Sequence, residues 1–168
     1  MTGAPTSGLR VRAAAPGDAD ALQALSSASI RQVAVSHYSR GQVEAWAATR
    51  TVAGHRRMIR ETTVLVAVDA ADVVAGFASI ALTPTRQLAR GEVDQLFVGP
   101  GHGGRGVARL LLEAIELAAT GAGVTELRTH ASWRAAPVFE RLGFRQVEVE
   151  TVHVDDQVLT RALMVKHL

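Results

Sequence analysis

The stretch Gly91-Glu92-Val93-Asp94-Gln95-Leu96-Phe97-Val98-Gly99-Pro100-Gly101-His102-Gly103-Gly104-Arg105-Gly106-Val107-Ala108-Arg109-Leu110-Leu111-Leu112 joins an apolar strand pattern, a glycine-dense turn and the start of an amphipathic helix. Five glycines fall between Val98 and Val107, so the backbone there is free to take φ > 0 and to approach a ligand closely. The helix that follows aims its unpaired N–H groups and the positive end of its dipole back into the loop. An anion, a phosphate above all, suits such a place.

The elements on either side follow from pattern and punctuation. Residues 1–8 have the composition of a frayed tail, and residues 9–168 have the size and apolar content of one domain. Leu9 to Arg12 alternates as a short strand. Pro16-Gly17-Asp18 then supplies a turn and an N-cap for a helix built on Leu22, Leu25 and Ile30. Ser39-x-x-Gln42 is a capping box that opens a second helix through Val43 and Trp46. Thr63–Val68 and Val73–Leu82 form a hairpin about Asp69–Asp72, with Gly76 marking a bulge or a close backbone contact. Strand Glu92–Val98 and a helix from Val107 to about Thr120 follow. Val124–Thr129 is a strand and Ala135–Leu142 a short helix. Two last strands, Gln146–Val154 and Val158–Val165, meet at Asp155-Asp156-Gln157.

The order β-α-α-β-β-β-α-β-α-β-β is mixed α/β. The central strand, loop, helix and strand demand a parallel pair by crossover, and the flanking hairpins are antiparallel. One mixed, mostly antiparallel sheet with a central parallel strand pair and helices on both faces is therefore expected.

Several classes can be set aside. Gly101-His102-Gly103-Gly104-Arg105-Gly106 spells the dinucleotide fingerprint, but that motif needs an acidic residue at the tip of the next strand, and Glu126 lies near that strand's beginning. No Lys-Ser or Lys-Thr follows the glycines, which excludes a Walker loop. The absence of cysteine removes disulfides, thiolate zinc sites and a cysteinyl thioester route, and fits a reducing compartment. The six histidines lack metal-ligand spacing on a helix, so no metal is expected. A net charge of +2 with a single lysine, Lys166, does not point to nucleic acid. Without an eighteen-residue apolar run or a signal-peptide build, neither a membrane partner nor export is expected, and a cytoplasmic location is the default.

Val98-x-Pro100-x-x-Gly103-Gly104-Arg105-Gly106-Val107-Ala108-Arg109-x-Leu111 resembles the acetyl-CoA loop of the GCN5-related N-acetyltransferases, whose pattern is Gln/Arg-x-x-Gly-x-Gly/Ala. Gly103 occupies the Gln/Arg position, which leaves the backbone contacts without that side chain. A second motif, Ala131-Ser132-x-x-Ala135-x-Pro137-x-Phe139-Glu140-Arg141-Leu142-Gly143-Phe144, resembles the family's later helix, Asn-x-x-Ala-x-x-x-Tyr-Glu-Lys/Arg-Leu-Gly-Phe.

The resemblance implies an acyl-CoA N-acyltransferase fold and acetyl-CoA as the acyl-donor cosubstrate. The acetyl group would pass to a primary amine by direct attack in a ternary complex, the acceptor being a small molecule or a protein amine. It places the cofactor against Leu96, Phe97 and Val98, on Gly103, Gly104, Arg105, Gly106, Val107, Ala108 and Arg109, and beside Ser132 and Phe139. Glu92 falls at the position that often holds a general base, and Asp94, two residues on along the strand, is a candidate to orient the amine. From spacing alone, the pair reads equally as a solvated strand edge. Ser132 stands where relatives carry Asn and can cap the short helix or touch the cofactor.

Phe139 replaces the tyrosine that protonates the departing thiolate in many relatives, leaving Tyr38, Ser132, His130 or water as substitutes. The same residue supports the alternative of a non-catalytic CoA-binding sensor or partner domain. His37, Tyr38 and Trp46 either pack between helices or line the acceptor pocket. The acceptor could be a small amine, an antibiotic, an amino acid or a protein N-terminus, and a homodimer is left open.

Overall fold

A computed structural model describes residues 8–33 and 35–168. The expected tail therefore lies, up to Ser7, outside the described residues. The elements are β1 (Arg10–Ala13), α1 (Ala19–Val33), α2 (Arg40–Ala48), α3 (Val52–Glu61), β2 (Thr63–Val68), β3 (Val74–Ile80), β4 (Glu92–Val98), α4 (Val107–Gly121), β5 (Glu126–Ser132), α5 (Ala136–Arg141), β6 (Arg145–Val154) and β7 (Gln157–His167). The seven strands form one sheet in the order β1-β2-β3-β4-β5-β7-β6. Every neighbouring pair is antiparallel except β4 and β5, which the α4 crossover makes parallel.

Strand alternation decides what each face of the sheet packs against. Val64, Val66 and Val68 of β2 and Phe77 of β3 join Leu22 of α1 and Met58 of α3 in one cluster. The alternate residues Ala67, Ala78 and Ile80 pack with Val107, Leu111, Leu112 and Ile115 of α4 on the other face. Burial on both faces explains why β2 and β3 read as nearly continuous apolar runs. The lone lysine ties the second layer together, because Lys166 Nζ meets Glu116 Oε1 of α4 at 2.5 Å and the Leu142 carbonyl at the end of α5 at 2.8 Å.

Two local readings need correction. Asp18 does not cap α1; it closes a short 3-10 turn over Pro16–Asp18. Its carboxylate accepts the Ala15 N–H at 2.7 Å and two hydrogen bonds from Arg12 at 2.8 and 3.0 Å. Helix α3 was not anticipated at all. Its one inward face, Val52, His55, Met58 and Ile59, is short and is interrupted by a histidine, and the rest of the helix is polar, so the apolar period is easily missed, although Thr51 Oγ1 caps it by accepting the Gly54 N–H at 3.0 Å.

Gly76 fulfils both expectations placed on it. The register of β2 against β3 slips beside it, and a Cβ at Gly76 would lie 2.8 Å from the Phe97 carbonyl and 2.9 Å from Val107. The slip between β3 and β4 bears on the site more directly. Ser79 faces Gln95 and Ile80 faces Val93, so Asp94 is the extra residue of a bulge. A bulge bends its strand and increases the local twist.

Candidate functional site

The bulge at Asp94 falls where the parallel pairing ends. Strand β4 meets β5 at Glu92–Arg128 and Val93–Thr129, and there the ladder stops. A side-chain bond from Thr129 Oγ1 to the Val93 carbonyl, 2.8 Å long, closes that end. From Asp94 to Val98, β4 keeps its β3 neighbour and has no partner strand on its β5 side. A row of backbone polar groups thus borders a cleft of ≈ 1170 Å³, where an unpaired donor or acceptor requires water or a ligand.

The glycine loop forms one end of this cleft. Pro100–His102 makes a single 3-10 turn, and Gly104 and Gly106 take φ of 72° and 78°. Gly106 is the N-cap of α4 and provides no side-chain bond, so the first N–H groups of the helix lack a side-chain acceptor. A Cβ at Gly101, Gly103 or Gly104 would meet nothing within 4 Å. The loop thus presents bare backbone and a helix dipole to an open space, an arrangement suited to an anion. Gly103, Gly104, Gly106, Val107, Ala108 and Arg109 line the cleft with Leu96, Phe97 and Val98. Arg105 is exposed and stands outside that lining.

Ser132 and Phe139 border the cleft beyond the end of β5. Ser132 Oγ accepts the Ala135 N–H at 3.2 Å, which holds the turn into α5. Phe139 is buried and meets Phe144 edge to face at 5.1 Å. Tyr38 comes from the far side, and its hydroxyl donates to the Thr160 carbonyl at 2.9 Å and accepts the Trp133 N–H at 3.0 Å. Burial pushes this phenol above its ordinary range, which with the committed proton makes it a poor acid for a departing thiolate. Its ring meets Trp46 edge to face at 5.7 Å. His37 also lines the cleft and pairs with Ser36 Oγ at 2.7 Å. The helix α2 that carries Trp46 is pinned to β7 by a hydrogen bond from Gln42 Nε2 to the Val158 carbonyl.

Glu92 and Asp94 both face the cleft, in different surroundings. Glu92 Oε2 accepts the Ala89 N–H at 2.9 Å, and Oε1 lies 3.5 Å from His130 Nε2. The other ring nitrogen of His130 meets Glu150 Oε2 at 2.7 Å, and Arg161 Nε donates to the same oxygen at 3.1 Å. Desolvation raises the Glu150 carboxyl, but the hydrogen bonds from His130 and Arg161 outweigh it and leave it below the usual range. Asp94 is open to the cleft yet walled by protein, and burial pushes it up despite nearby Arg50.

Sequence reasoning offered His130 only as a stand-in acid and did not find Glu150, Arg161 or Arg50. Glu150 and Arg161 face each other across the β6–β7 register, eleven positions apart in the chain, and no short-range pattern signals them. His55, buried against Phe77, is a core residue; its Nδ1 donates to the Thr51 carbonyl at 2.8 Å and burial lowers its pKa.

A family model for the acetyltransferase (GNAT) domain matches residues 34–158. The chain belongs to the GNAT acetyltransferases. It is 30% identical over 144 residues to the uncharacterized N-acetyltransferase YafP of Escherichia coli K12, covering 86% of each chain. A GCN5-related N-acetyltransferase structure from Rhodopseudomonas palustris is 31% identical with a TM-score of 0.86, over 96% of this chain and 97% of that one. The PaiA N-acetyltransferase of Thermoplasma acidophilum, solved in complex with coenzyme A, shares the fold at 17% identity and a TM-score of 0.74, over 95% and 99% of the two chains. This GNAT chain is thus an N-acetyltransferase with a mixed α/β fold, and among its described residues no helix is long and apolar enough to cross a membrane.

Proposed function

We propose that this GNAT protein moves an acetyl group from acetyl-CoA to a primary amine by direct attack within a ternary complex. The observation that carries the reading is the opening of β4 away from β5 beside an uncapped, glycine-lined helix start. One end offers backbone donors for a pyrophosphate and the other a free strand edge for an amide-bearing arm. The complex of PaiA with coenzyme A supports the same assignment. Acetyl-CoA supplies the activated acyl group.

The chain's own residues supply the rest. An amine near neutral pH is protonated and cannot attack, so Glu92 receives the ammonium proton directly or through water. The backbone at Leu96 and Phe97 polarises the thioester carbonyl. Asp94 orients the amine, while His37, Tyr38 and Trp46 wall the acceptor end. No tyrosine stands at Phe139, and a thiol of ordinary pKa, about 8.5, leaves tolerably as the anion.

The test is an amine panel with thiol release as readout. Release above the hydrolysis background supports transfer and removes the sensor alternative. A melting shift with acetyl-CoA and none with NAD supports the cofactor, and a shift with NAD alone would overturn it.

A further inference from the structure

The acceptor end of the cleft contains a cation without a carboxylate partner. Arg50 follows α2 and borders both the main cleft and an adjoining cavity of ≈ 290 Å³. Its side-chain hydrogen bonds among the described residues run from Nε and a terminal nitrogen to Thr49 Oγ1, at 3.1 and 2.9 Å. A guanidinium has five N–H donors, so most of those on Arg50 remain unspent. Arg161, which lines the same cleft, differs in having a carboxylate partner, Glu150, at 3.1 Å from its Nε. Asp94 faces both Arg50 and the cavity, but the two do not form an ion pair.

We propose that Arg50 anchors a carboxylate of the acceptor while Glu92 and Asp94 hold its amine, so that the acceptors are amino acids or closely similar small amino-carboxylates. This rests on the acetyl-transfer reading above and narrows it. A plain amine would satisfy the two carboxylates and leave the guanidinium half-buried and unpaired, which is the costly state for a charge. A zwitterion matches both signs at once. The planar fork of arginine suits a carboxylate bidentately, and such charge-assisted pairs are the stronger hydrogen bonds. The adjoining cavity, with Thr49, Thr51 and Gln87 in its wall, gives room for a small polar side chain.

The experiment measures thiol release by the full chain with acetyl-CoA and a panel of L-amino acids, each beside its amide and its decarboxylated amine. The acids should exceed both counterparts by about tenfold or more in kcat/KM, carried mainly in KM, which corresponds to about 1.4 kcal/mol. In Arg50→Met the preference should collapse to near unity, and Arg50→Lys should recover part of it. Equal use of acid and amide by the wild type, or a preference that survives Arg50→Met, would overturn the assignment while leaving acetyl transfer intact. If no amine in the panel releases thiol, the transfer reading is what fails. The subsite is then decided by titrating N-acetylglycine into CoA-saturated protein: binding that Arg50→Met abolishes upholds it, and no binding overturns it.

Discussion

Two glycines with the same backbone sign stand in opposite surroundings, and replacing each by alanine separates strain from crowding. Gly91 has φ of 85° and immediately precedes Glu92; a Cβ there would lie 2.4 Å from the Glu126 carbonyl and 3.1 Å from Val124. Gly104 has φ of 72° and nothing within 4 Å. Left-handed backbone costs a residue with a Cβ about 1–2 kcal/mol in either place. At Gly91 the added methyl also drives β4 from β5 at the point where the Gly91 carbonyl accepts the Arg128 N–H at 3.1 Å, an overpacking cost of typically about 1–3 kcal/mol. For a domain of this size, that difference should lower the melting temperature of Gly91→Ala by roughly 2–12 °C relative to Gly104→Ala. Thermal unfolding followed by circular dichroism, with urea midpoints as a second measure, reads it. Because Glu92 moves with Gly91, the folded Gly91→Ala protein should also transfer acetyl groups more slowly than its folded fraction accounts for. Equal melting temperatures for the two variants would refute the argument, since the contact with Glu126 would then be yielding at no cost.

Glu92→Gln should lower kcat/KM by roughly 10²-fold or more and flatten its acidic limb; activity within about threefold of wild type across the pH range would remove Glu92 from the proton transfer. Tyr38→Phe leaves the Trp133 N–H without the hydroxyl that accepts it, at a cost of about 1–3 kcal/mol, so a thermal melt indistinguishable from wild type would dismiss the bridging role. Asp18 is held below the usual carboxylate range by its hydrogen bonds from Arg12. The unfolded chain therefore takes up this proton first as pH falls, and the stabilisation present above about pH 4 is lost as pH drops through the folded value. Asp18→Asn keeps one acceptor oxygen but loses the charge of a partly buried pair and should be less stable at neutral pH by about 1 kcal/mol, with a shallower fall in urea midpoint between pH of about 5 and 2. An unchanged acid slope would show that another carboxylate sets it.

Much of this protein was legible in one dimension, because the signals were local. The glycine run before an amphipathic helix announced a turn with left-handed backbone, realised at Gly104 and Gly106 with φ of 72° and 78°, and the start of α4 after it. The capping box at Ser39 and Gln42 is realised by hydrogen bonds of 2.8 and 3.2 Å. Alternating strands, apolar on both faces at β2 and β3, required helices on both sides, and the α4 crossover required the parallel pair. Helix α3 escaped because its inward face, Val52, His55, Met58 and Ile59, is only two turns long and has a histidine in it. What only tertiary structure decided was register. One extra residue at Asp94 ends the β4–β5 ladder and opens the cleft, and no residue type announces a bulge. Glu150 reaches Glu92 only through His130, across strands that are distant in sequence. Arg50 is one arginine among seventeen; its unspent donors depend on which carboxylates the fold brings near it, and that is set by how α2 packs on α1 and β7 and α3 on α1 and β2.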